Sequence, residues 1–181
     1  MPPYITPIAV DDNPWVKVVT ALRAKILSTD LSFVAACQAL FNKAPQVWAR
    51  FDNQELGAAD GYFDPPLPMC PVVLLTPVNT PPFEDDGIGQ DKWSLSYSVI
   101  AKYELRDGDS RKALAANYEL LRTIMWGYKP GSLDPLRPAH AGLKKYSIAG
   151  DLTPNIAKAA AQTVARTMFV IRFEAIEGFL G

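Results

Sequence analysis

The sequence predicts an α+β fold, and three observations predict it. Trp15, Val18, Val19, Leu22 and Ile26 recur at helical spacing near the start, and a second amphipathic run follows Ser110. Between them, residues 93–103 alternate between an aromatic or aliphatic face and a small or polar one. The chain then closes on an apolar run, Val164 to Ile176, of strand character.

Residues 1–13 carry three prolines and read as an extended arm. Asp12 or Asn13 can cap the first helix, and Pro14 suits the first helical position because its missing N–H costs nothing there. Lys17, Arg23 and Lys25 fall elsewhere on that wheel, and the helix is expected to end within 28–31. Val34, Cys37, Leu40 and Phe41 support a shorter helix over 33–42, which Pro45 stops. VWARF is a short strand candidate, and residues 52–68 are rich in turn formers without a sustained period. Val72 to Leu75 is a β-branched, apolar run bounded by prolines, the pattern of a buried strand.

The alternating strand follows the loop NTPPFEDDGIGQ. Trp93, Leu95, Tyr97, Val99, Ala101 and Tyr103 share one face, as in an antiparallel sheet covered on one side. Asp107-Gly108-Asp109-Ser110 makes a turn, and Ser110 is a natural N-cap for the next helix. Ala113, Ala116, Asn117, Leu120, Leu121, Ile124, Met125 and Tyr128 run down its buried side, and Pro130-Gly131 stops it. A strand is expected over 144–149. The alanine-rich stretch 156–163 reads as a helical turn or a linking loop. In the closing strand, Phe169, Ile171 and Phe173 oppose Met168, Val170 and Ile176, so it is either central or covered by another subunit.

Composition narrows the function. A chain of 181 residues, 49% of them hydrophobic, forms one domain. Such a chain buries roughly 70% of the surface its unfolded form exposes, with no need of metal or disulfide staples. Its 18 basic and 19 acidic residues nearly cancel. It therefore lacks the basic stripe that drives nucleic-acid affinity through counterion release, and neither DNA nor RNA binding by the chain alone, nor sequence-specific recognition, is expected. No apolar stretch approaches the ~20 residues of a membrane span, and the N-terminus has neither the charge nor the apolar core of a signal peptide. A soluble, intracellularly made protein is expected.

Chemical signatures are weak. His140 is the sole histidine and sits in a Pro-Ala-His-Ala-Gly loop without a nucleophile motif. One histidine with the separated Cys37 and Cys70 does not make a metal site. Both thiols read as free and buried, with a disulfide between them as the alternative. Glu84-Asp85-Asp86 are contiguous, whereas a calcium loop alternates ligands with spacers. Gly87-Ile88-Gly89 lacks the third glycine of a dinucleotide fingerprint. No catalytic, metal or cofactor residue is assigned, and the chain is read as a non-enzyme. Two long loops, 79–90 and 129–142, set apolar residues among prolines and charges, the texture of partner contacts. The candidate interface residues are Phe83, Glu84, Asp85, Asp86 and Ile88 on the first loop, and Leu133, Leu136 and Arg137 on the second.

The order and texture of these segments resemble the tail-terminator, or tail-completion, proteins of tailed bacteriophages and related small neck proteins. The matching parts are the first helix, the strand KWSLSYSVIAKYE, the turn RDGDS, the helix RKALAANYELLRTIMWGY and the closing ARTMFVIRFEAIEG. Residues 43–71 and 129–143 depart from the pattern. The resemblance implies an antiparallel or mixed sheet with helices on one face. It also implies a ring, commonly a hexamer, that sits on the last ring of the tail tube protein. The ring ends elongation and joins the head-side connector, with a sheath as a further partner in contractile tails. The protein then belongs to the virion's tail–neck junction, and DNA passes the lumen without being read. The alternatives are a head-completion or stopper protein of the neck, or a small α+β ligand-binding or enzymatic domain.

Overall fold

The computed structural model describes residues 9, 14–49, 70–78, 84–85, 91–125, 143–159 and 162–176. In chain order the elements are α1 (Pro14–Ile26), α2 (Ser32–Phe41), β1 (Gln46–Ala49), β2 (Val72–Val78), β3 (Glu84–Asp85), β4 (Asp91–Leu105), α3 (Ser110–Met125), β5 (Leu143–Ala159) and β6 (Gln162–Ile176). The fold is α+β, with one mixed sheet and the helices on one of its faces. The strand order is β1-β2-β4-β6-β5. The β1–β2 pair is parallel and the other pairings are antiparallel. The two-residue β3 lies against β4 at Lys92 and Asp91, continuing the side that β2 occupies further along.

The core forms where the alternating face of β4 meets the helices. Leu95, Tyr97, Val99, Ala101 and Tyr103 are buried, as the period of two requires. Their register partners on β6, namely Phe173, Ile171, Phe169 and Ala165, lie in the same cluster. Val18, Val19, Leu22 and Ile26 of α1 and Ala113, Ala116, Leu120 and Ile124 of α3 close it from above. The Tyr97 ring meets Trp15 of α1 edge to face at 5.5 Å and Phe173 of β6 at 6.0 Å. Its hydroxyl donates to the Trp15 carbonyl at 2.8 Å, fastening α1 to the sheet. Phe41 of α2 stacks on Tyr103 with 5.6 Å between centroids.

Helix ends are finished partly by distant chain. Leu31, the N-cap of α2, supplies no side-chain bond. The Phe33 amide instead donates to Thr123 Oγ1 of α3 at 3.2 Å, a tertiary cap that also ties the two helices together. At the other end, Asn42 adopts the left-handed conformation and its N–H donates to the Gln38 carbonyl, the closure expected of an αL cap.

Two elements differ from the sequence expectation. The first helix ends at Ile26, two residues short, and Lys25 in its last turn is buried despite falling off the apolar stripe. At 1% exposure its ammonium is buried with the stem, which is tolerable because the side chain has an interaction partner there. The stretch 156–159 is strand, not helical turn or loop, because β5 runs for 17 residues against β6. Alanine's helical preference is weak beside a ladder of cross-strand hydrogen bonds. The closing strand is central, between β4 and β5, the first of the two placements the sequence allowed, and Met168 on its other face is exposed.

Candidate interaction surfaces

The described part of the first predicted loop forms a strand pair. Glu84 and Asp85 are the two residues of β3, facing Lys92 and Asp91 across the register. Phe83, Asp86 and Ile88 lie outside the described residues, as do Leu133, Leu136, Arg137 and His140 of the second loop. The proposed partner role of both loops therefore remains an expectation from sequence.

The Asp107–Ser110 turn is organised by its own charges. Asp107 Oδ1 accepts the Asp109 amide at 3.1 Å, and Asp109 Oδ1 accepts the Arg111 amide at 3.1 Å, so Asp109 caps α3 and Ser110, the expected cap, is its first helical residue. The Arg111 guanidinium grips Asp109 with two hydrogen bonds of 2.9 Å, and Lys112 pairs with Asp107. The Lys112 hydrogen bond holds the Asp107 carboxyl below the usual carboxylate range, and the Arg111 hydrogen bond does the same for Asp109. Both carboxylates are fully exposed, so these pairs order the turn and do little for global stability. Gly108 takes φ of +71° here, which any other L-residue resists.

Beside this turn is a cleft of about 420 Å³ between the end of α2 and the end of β4. Leu40, Phe41, Pro71 and Leu105 give it apolar walls, and Lys43 and Lys112 stand on its rim. Its acids are engaged: Glu104 binds Arg106 at 3.2 Å and Asp107 binds Lys112.

Cys37 and Cys70 are both buried and neither is in a disulfide, as the sequence suggests. Burial pushes Cys37 from its ordinary 9.0 up to about 12. The same desolvation raises Tyr97, and it raises Tyr103 well above the usual phenol, with the nearby Cys37 adding to the effect. Among the described residues the Tyr103 hydroxyl has no hydrogen-bond partner. For all three groups the native state holds the proton that the unfolded chain gives up near 9 to 10. Stability contributed by the neutral forms is thus complete below that window and falls as pH rises through it toward the folded values. Urea midpoints should stay level from neutrality to about pH 9 and drop steeply beyond it. Tyr97→Phe should make that alkaline drop shallower.

Among the described residues no group of three or more histidine, cysteine or carboxylate side chains could hold a metal, and no helix is long and apolar enough to cross a membrane. The feature that sequence reading missed is on α3. Met125, expected on the buried side, is exposed, together with Leu114 and Tyr118. Leu152 and Ile156 of β5 are exposed as well. A second helical period, displaced from the first, was present in the sequence to be found. No family model matches the chain, and no curated protein matches it.

Proposed function

We propose that the chain is a tail terminator of a tailed bacteriophage: a structural protein that assembles as a ring on the end of the tail tube, stops its growth and presents a surface to the head-side connector. The observation that carries this reading is the architecture itself. The resemblance implies a small α+β fold with helices on one face of an antiparallel or mixed sheet, and the chain has that fold. The long β5–β6 hairpin leaves β5 as an open edge, and the exposed apolar side chains on α3 and β5 give such a protein surface for association. Charge is compatible with a lumen that DNA must traverse, since a chain of net charge −1 does not hold the phosphate backbone.

The test adds the purified chain to polymerising tail tube protein. Substoichiometric amounts should shorten the tubes, and negative-stain images should show a ring on one tube end. Tubes of unchanged length with bare ends would refute the reading.

A further inference from the structure

Helix α3 carries two apolar arcs. Ala113, Ala116, Leu120 and Ile124 enter the core with Asn117 beside them. Leu114, Tyr118 and Met125 stay 47%, 65% and 53% exposed, and Leu121 between them is half-buried. The intervals of four, three and four residues place these side chains within about 60° of the helix circumference, at about 100° per residue. Two contacts orient this stripe. Thr123, on one flank of the core arc, meets α2 through the Phe33 amide. Asn117, on the other flank, donates its side-chain amide to the Leu152 carbonyl of β5. The stripe lies on the Asn117 side, so it overhangs β5, the edge strand of the sheet among the described residues. Leu152 and Ile156, 40% and 41% exposed, continue it along that edge.

The exposed apolar area is on the order of 500 Å², at the upper end of what a monomer leaves open and more than half of the ~800 Å² each partner contributes to a standard interface. The rest can come from the strand edge. Neighbouring charges select no oppositely charged partner, because Arg111 and Arg122 are already paired with Asp109 and Glu119 of the same chain. A net charge of −1 sets no long-range repulsion between copies. A four-three-four seam is also the spacing by which helices pack on helices.

We propose that the α3 stripe with the adjoining β5 edge is the surface by which one copy of this chain holds another, which rests on the reading of the protein as a self-associating ring component. The test is light scattering of the full chain and two variants. Wild type should be multimeric. Tyr118→Glu places a carboxylate one turn before Arg122, a pairing that favours the helix, and should weaken association at least tenfold. Met168→Glu, on the opposite face of the sheet, should keep the wild-type mass. Thermal melts by circular dichroism establish that each variant is folded. Should Tyr118→Glu fail to fold, Leu114→Gln carries the same expectation. A wild-type chain that is monomeric at every concentration, or a folded stripe variant with unchanged mass, overturns the proposal. A multimer that survives Tyr118→Glu and still caps tubes leaves the terminator reading standing without this interface. A multimer that the variant dissociates, but that never caps tubes, leaves the interface standing without the terminator.

Discussion

Tyr97→Ala is expected to cost about 3–5 kcal/mol, the range for removing a large aromatic side chain from a packed core. Tyr97 is fully buried at the centre of β4 and touches two other elements. Its ring sits edge-on to Trp15 of α1 and Phe173 of β6, and its hydroxyl holds the Trp15 carbonyl. Truncation leaves a cavity beneath α1 that the neighbouring strands, locked in register from Lys92 to Leu105, cannot close. Tyr97→Phe isolates the hydroxyl and should cost about 1 kcal/mol, the net worth of one hydrogen bond. Denaturant unfolding with a shared slope measures both. Equal losses for the two variants would mean that the ring contributes nothing, contrary to its packing.

Gly150→Val is the second large effect, at about 2–4 kcal/mol from a strained backbone and a steric clash together. Gly150 has φ of +123°, a conformation that side chains other than glycine's resist. A Cβ built there would stand 3.1 Å from the Phe169 Cα and 3.3 Å from the Met168 carbonyl oxygen. Those atoms are backbone of the neighbouring strand, so the hairpin itself must move. The strain falls beside the register shift between Asp151 and Asn155, where Asp151 Oδ1 accepts the Thr153 amide and Asn117 holds the Leu152 carbonyl. Gly108→Ala is the contrast, with φ of +71° and nothing within 4 Å of the new Cβ. It should cost only the backbone penalty of about 1–2 kcal/mol. Thermal unfolding of both variants compares them. A Gly150→Val protein as stable as Gly108→Ala would show that the strand gives way at no cost.

Some elements were plain in the sequence and others were not. The face of β4 was legible because alternation has a single physical meaning on a strand covered on one side, and Leu95 through Tyr103 obey it. β2 was legible as an uninterrupted apolar run, and Val72, Val73, Leu74 and Leu75 are all buried. The far half of β5 was not, because Asn155–Ala159 has strand geometry imposed by β6 and little preference of its own. The candidate surface was half legible. Leu114, Tyr118, Leu121 and Met125 have a helical period, but so do the core residues beside them, and a wheel apolar over both arcs does not say which arc faces inward.

By itself, then, the sequence determined what local chemistry can encode: helix starts, the pleat of β4, the closing strand and the α+β class. Each depends on residues a few positions apart, so the pattern and its cause lie within one segment. Tertiary structure alone decided what depends on distant partners. It set β6 between β4 and β5, capped α2 with Thr123 of α3, and fixed α3 over the β5 bulge through Asn117. Orienting α3 in this way spent one apolar arc on the core and left the other at the open edge of the sheet. Which face of a helix is surplus depends on the area the sheet has to cover, and no periodicity in the helix records that area.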